Sequence, residues 1–99
     1  MNDVKLIKLS LSPTLFYQRH LTGGFGEVTG KGWYAWNGLC PFHADKKPGS
    51  LFVNKRTGAF KCFACGAHGG DIIDFHVQHN HVGFSEAVKQ LWEEIGCVK

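Results

Sequence analysis

The sequence predicts a small α+β domain built from short strands and short helices. Three observations lead there. The runs "WYAWNGL" (33–39), "SLFVNK" (50–55) and "AFKCF" (59–63) are rich in aromatic and branched residues and are bounded by Gly, Pro or Asn, as short strands are. Val88, Leu91, Trp92 and Ile95 recur at the spacing of one buried helix face. Ser12-Pro13 and Asp71 stand where helices start, each able to accept a free first-turn N–H.

From the N-terminus, "VKLIKLSL" within residues 1–11 alternates and is expected to form an edge strand. Ser12-Pro13 opens a helix running to about His20. The stretch "TGGFGEVTGKG" (22–32) contains five glycines and no apolar period, so a mobile loop is expected. It does not match a phosphate-cradling G-x-x-x-x-G-K-[ST] loop, because Gly32 follows Gly30-Lys31. Residues 1–32 are therefore taken as an N-terminal extension and 33–99 as the domain proper, together one compact unit. Between the last two strands, Gly58 supplies the positive φ of a tight hairpin. Pairing across it turns Val53 and Phe60 toward the core and Phe52, Lys55 and Lys61 toward solvent. After Gly69-Gly70, Asp71 caps a helix carrying Ile72, Ile73, Phe75 and Val77. A last helix begins at Ser85 and ends at Gly96, with the Val88, Leu91, Trp92 and Ile95 stripe in the core.

A chain of 99 residues buries a modest core, and an added staple would stabilise it. Four cysteines allow two disulfides, but the N-terminal stretch lacks a basic-then-apolar signal region, which favours a reducing cytoplasm and metal over disulfide. No apolar run approaches the ~20 residues that span a bilayer, so no membrane partner is expected. The net charge of +3 is unevenly spread. Residues 40–70 hold Lys46, Lys47, Lys55, Arg56 and Lys61 against Asp45, a net +4, while residues 71–99 hold Lys89 and Lys99 against Asp71, Asp74, Glu86, Glu93 and Glu94, a net −3. A basic segment of this kind points to a polyanion such as nucleic acid.

Cys40-x-x-His43 and Cys62-x-x-Cys65, with eighteen residues between them, supply two tight turns that each aim two donors at one ion. Zinc takes four tetrahedral ligands of thiolate and imidazole type, and four protein ligands close its shell, so one structural Zn²⁺ is expected and no catalytic residue. Cys97 has no close partner in sequence and is set aside. His68 is not needed as a ligand, and His76, His79 and His81 are read as surface or half-buried. A nucleobase deaminase would need a Glu two residues after His43, where Asp45 stands, together with an open zinc position.

"CPFHADKKPGS", an aromatic strand pair, "CFACGAHGGD" and a following apolar helix closely resemble the N-terminal zinc-binding domain of bacterial and phage DNA primases of the DnaG type, from about Trp36 to Gly96. The family's zinc ligands map onto Cys40, His43, Cys62 and Cys65. The resemblance implies a zinc ribbon, an antiparallel sheet carrying the metal at one end and flanked by helices. It also implies contact with single-stranded template during primer synthesis, beside a polymerase domain in cis or in trans whose carboxylates hold magnesium. This chain's acids are scattered, so it is not expected to synthesise primers by itself. Pro48-Gly49-Ser50 departs from the family's Pro-Ser corner, and the glycine-rich stretch from the replicative members, which points to a phage, plasmid or integrated-element origin. Single strands are held by cations on phosphates and aromatic faces on bases. Lys46, Lys47, Phe52, Lys61, Phe63 and His68 are the expected contacts, with Trp33 or Trp36 as a further platform. Three thiolates and Zn²⁺ sum to −1, so the attraction must come from the basic side chains. The competing expectation is a ribbon that docks a replication partner, such as a helicase, through its acidic C-terminal helix.

Overall fold

In a computed structural model that describes residues 3–42 and 49–96, antiparallel pairing of short aromatic strands builds the centre of the molecule. The elements are α1 (Asp3–Ser10), α2 (Pro13–His20), β1 (Gly24–Gly30), β2 (Trp33–Asn37), β3 (Leu51–Asn54), β4 (Phe60–Cys62), β5 (His68–Gly69), α3 (Ile72–Asn80) and α4 (Phe84–Gly96). The strands form one sheet in sequence order, every neighbouring pair antiparallel. This is the expected α+β class, and the three aromatic runs supply its middle strands.

Two N-terminal expectations are corrected. The first segment is a helix rather than an edge strand: Ile7 and Leu11, four residues apart, are both buried against the other helices while Leu9 between them is 74% exposed, whereas a period of two would put all three on one face. Lys8 Nζ, one residue on, reaches the Asp71 carboxylate at 3.0 Å. The stretch 22–32, expected as a loop, contains β1. Its register with β2 pairs Gly24 with Asn37, Phe25 with Trp36, Val28 with Tyr34 and Gly30 with Trp33, with irregularities between these pairs. Glycine is required by proximity at Gly26, where a Cβ would lie 2.8 Å from the Ala35 carbonyl oxygen. Only Phe25 of this strand packs on the core, and residues 26–30 are exposed, so no apolar period marks it.

The β3–β4 turn follows the expected chemistry. Asn54 accepts the N–H groups of Arg56 and Thr57 at 2.8 and 3.0 Å, and Gly58 turns the chain at φ 82°. Register pairs Leu51 with Cys62, Phe52 with Lys61 and Val53 with Phe60. Leu51, Val53, Phe60 and Cys62, with Trp36, are buried on one face, while Phe52 and Lys61 occupy the other. Lys55 departs from the expected solvent face. Its Nζ lies 4.4 Å from the ring centroids of both Phe25 and Tyr34, because it follows Val53 by two residues and leaves β3 on the core side.

Helices cover the buried face. The Asp71 carboxylate accepts the Asp74 N–H at 2.8 Å and starts α3, which ends at His81 in the left-handed region. Phe75 at its centre stands edge-on to Phe16, Tyr17 and Phe60, with centroids 5.7, 5.1 and 5.1 Å away. The Tyr17 hydroxyl donates to the Gly58 carbonyl at 2.6 Å, tying α2 to the hairpin turn. Burial drives its phenol far above the ordinary range, with Asp71 and Asp74 adding to the effect. Helix α4 starts at Phe84 and buries Ala87 and Leu91, with Val88 and Ile95 half-covered. Trp92, expected in that stripe, is 47% exposed, because the small Ala87 occupies the contact line and rotates the tryptophan outward.

Candidate metal centre and the open face of the sheet

Three sulfurs converge at one end of the sheet. Cys40 follows β2, Cys62 ends β4, and Cys65 sits in the turn that follows it. Their Sγ atoms lie within 4.8 Å of one another, Cys40 and Cys65 at 4.0 Å. Tetrahedral zinc with Zn–S near 2.3 Å sets its sulfurs ~3.8 Å apart, so this spacing fits the ion with little adjustment. Local sequence explains the convergence. The Gly66 N–H bonds the Cys62 carbonyl at 2.9 Å with Gly66 at φ 81°, and the Cys62 N–H bonds the Ala67 carbonyl at 2.8 Å. Cys62 Sγ thereby accepts from the backbone of Cys65 and Ala64. On the opposite turn, the Phe42 N–H lies 3.5 Å from Cys40 Sγ. The Phe63 N–H bonds the Ser50 carbonyl at 2.9 Å, which fixes this turn against the start of β3.

The electrostatics of the cluster are those of thiols waiting for a cation. Burial pushes Cys40 up to about 12, with the neighbouring sulfurs adding to the rise against the Phe42 N–H. Burial raises Cys62 too, but the backbone N–H groups of Cys65 and Ala64 and bonds from Cys40 and Cys65 outweigh it and bring the thiol down to about 7. A divalent ion removes the mutual repulsion and deprotonates coordinating thiols. His43 lies outside the described residues, as do Lys46, Lys47 and Cys97. Phe42, which precedes His43, is anchored by stacking on Phe60 at 5.5 Å and by Phe75 at 5.2 Å.

The other histidines are not gathered with the sulfurs. His68 is exposed on β5, with Nδ1 3.0 Å from the Gly66 carbonyl. His76, expected at or near the surface, is buried at 6% exposure between α2 and α4, with Nε2 2.7 Å from Gln90 Oε1. His79 is half-buried beside Phe42 and Phe75. His20 Nε2 meets Glu94 Oε1 at 2.8 Å and Arg19 meets Glu94 Oε2 at 3.1 Å, a three-residue cluster that sequence reading missed because Glu94 lies more than seventy positions from the other two.

The face of the sheet opposite the helices carries the remaining expected contacts. Register sets Ala35 beside Phe52, Phe52 beside Lys61 and Lys61 beside His68, so one row crosses β2 to β5 on that face. Phe63, 66% exposed, meets Phe52 edge-on at 5.2 Å, and Lys61 Nζ lies 4.9 Å from the Phe63 centroid. Four of the six expected DNA contacts, Phe52, Lys61, Phe63 and His68, therefore share one surface. Trp33 joins them, half-buried. Trp36 does not, being wholly buried with its indole N–H bonded to the Thr22 carbonyl at 3.0 Å.

Comparison with known proteins agrees with the cysteine geometry. The family model of the CHC2 zinc finger, the DnaG zinc ribbon, matches residues 28–98. The DNA primase of Borreliella burgdorferi is 47% identical over 62 residues, covering 63% of this chain and 12% of its own. That of Lactococcus lactis is 49% identical over 59 residues, covering 60% and 9%, and that of Mycobacterium bovis 41% over 76 residues, covering 77% and 12%. The chain thus spans about a tenth of the length of these curated relatives. The crystal structure of the Aquifex aeolicus primase zinc-binding and RNA polymerase domains superposes with a TM-score of 0.72 at 28% identity, over 97% of this chain and 22% of that one. A matching fold, a matching family model and three sulfurs at zinc spacing agree: the chain belongs to the CHC2 zinc-finger family, has the fold of the zinc-binding domain of DnaG-type DNA primases, and carries one structural zinc.

Proposed function

We propose that this chain is the template-recognition module of a DnaG-type primase and binds single-stranded DNA across the open sheet face during primer synthesis. The observation that carries this reading is the convergence of Phe52, Lys61, Phe63 and His68 on one exposed surface next to the metal turn. Aromatic faces stack on bases, and the lysine meets phosphate. Cys40, His43, Cys62 and Cys65 hold the zinc in a closed shell, where it shapes the turn and takes no part in chemistry. Lys46 and Lys47 add positive charge from the segment between His43 and β3. Polymerisation belongs to a separate domain, in cis or in trans. The small share of the relatives' length that this chain spans supports that division, as does its matching 22% of a chain holding both zinc-binding and RNA polymerase domains. Thiol ligands suit a reducing cytoplasm. Among the described residues no helix is long and apolar enough to cross a membrane.

Fluorescence anisotropy of the zinc-loaded chain with labelled single-stranded and duplex DNA over a salt series tests the reading. Single-strand preference is expected, with affinity falling as salt rises. Replacing Lys46, Lys47 and Lys61 with alanine should weaken binding and flatten the slope by ~0.7 for each phosphate no longer neutralised. Zinc at one per chain with no DNA binding would sink the proposal.

That result would favour a second reading. Helix α4 exposes Phe84 at 59% and Trp92 at 47% beside the exposed Glu86 and Glu93, a surface suited to a basic replication partner such as a helicase or the polymerase domain.

A further inference from the structure

The open face is not flat. Thr29, Trp33, Phe52, Lys61 and Phe63 line a cleft of about 440 Å³, within the size range of small-ligand sites. Its walls come from five different segments. Thr29 lies on the edge strand β1, Trp33 at the start of β2, Phe52 and Lys61 face each other on β3 and β4, and Phe63 belongs to the metal turn. Two features set the chemistry of an occupant. The lining is almost wholly apolar and dominated by three aromatic rings, with Phe52 and Phe63 held edge to face at 81° so that their planes diverge. The cation in the lining, Lys61, sits over the Phe63 ring with its Nζ 4.9 Å from the centroid. A flat apolar group attached to an anion satisfies both. An aliphatic chain would leave the lysine without a partner, and a free anion would leave three rings uncovered.

We propose that this cleft takes one unpaired nucleobase of the bound strand, stacked against Trp33 or the Phe52–Phe63 pair, with Lys61 on an adjoining phosphate. Trp33 thereby becomes a binding residue, with Thr29 only at the rim, and the site selects single strands because a base paired in a duplex cannot enter. The inference rests on the template-binding reading above and adds to it a base-sized site at a defined place.

The test compares affinities of the zinc-loaded chain for oligo-deoxythymidine, for an abasic sugar-phosphate strand of equal length, and for duplex. Two variants accompany it. Thr29→Trp fills the cleft from an exposed position, leaving every cation and metal ligand in place, and Trp33→Ala removes a wall. Circular dichroism and zinc content confirm folding of each. The expected result is a wild-type preference for the base-bearing strand of roughly 5- to 150-fold, the range of one stacked base. That preference should collapse in Thr29→Trp, whose affinity for the abasic strand matches wild type. Should Trp33→Ala fail to fold, Thr29→Trp decides alone. Equal wild-type affinity for base-bearing and abasic strands, equal affinity for duplex, or an unaltered preference in Thr29→Trp overturns the cleft while leaving strand binding intact. Absence of any DNA binding by wild type removes both proposals together.

Discussion

Two adjacent glycines ahead of α3 make opposite demands, and alanine at each separates them. A Cβ at Gly69 would lie 2.5 Å from Phe60 Cε1 and 2.6 Å from Asp74 Oδ2, whereas one at Gly70 would meet nothing within 4 Å. Neither residue has positive φ, so the contrast is one of space alone. Phe60 is 1% exposed and wedged between Phe42 and Phe75, at 5.5 and 5.1 Å, so it has little room to retreat. Overpacking of a filled core costs about 1–3 kcal/mol. For a domain of this size each kcal/mol moves the midpoint by roughly 4–8 °C, so Gly69→Ala should melt roughly 4–24 °C lower. Gly70→Ala keeps the N–H that donates to Asp74 Oδ2 at 3.2 Å and narrows the unfolded ensemble, so it should be neutral or gain about 0.4–1 kcal/mol. Thermal melts and urea titrations at saturating zinc measure both. Equal midpoints for the two variants would refute the argument.

The buried Tyr17–Gly58 bond gives a second prediction. Tyr17→Phe leaves the Gly58 carbonyl without its donor and should cost about 1–3 kcal/mol in urea denaturation, with zinc content unchanged. A third concerns acid. Burial, followed by the charges of His20, His76 and His81, holds His79 below its ordinary 6.5. The unfolded chain therefore takes up this proton first, so the contribution of His79 to stability is complete above that value and is lost as pH falls through the folded one. Wild type should lose more stability between about pH 7.5 and about pH 5.5 than His79→Phe, loss of zinc being common to both and cancelling in the difference. Equal losses would exclude His79 as a source.

What sequence alone made legible follows from how local each signal is. Cys-x-x-Cys declares a metal turn within four residues, and the Asn54-to-Gly58 turn and the Ser12 and Asp71 caps depend on near neighbours, so all were readable. Helix α1 was not, because Ile7 and Leu11 count as a helical pair only once other helices cover them. Strand β1 was hidden because its order comes from pairing with β2, while every side chain it has except Phe25 is small or exposed. Trp92 was misplaced because helical periodicity locates a face to within one residue, and Ala87, too small to register as an anchor, decided which face turned inward. For the site, the alternation of Phe52 and Lys61 was legible. The cleft was not, since it needs Trp33 and Thr29 from strands whose register no local pattern sets.

Phe63 occupies a double position. It lies between Cys62 and Cys65, inside the turn that the ion closes, and its N–H is pinned to the Ser50 carbonyl while its ring walls the cleft. The zinc therefore acts as a spacer for an aromatic surface as well as a clamp on the fold. Whatever fraction of binding depends on the stance of that ring is shared with the metal, and linkage makes the sharing mutual: a strand lying against Phe63 tightens the ion by the factor by which the ion tightens the strand. On the cleft reading, metal supply would set the fraction of chains whose aromatic surface is poised to grip the template.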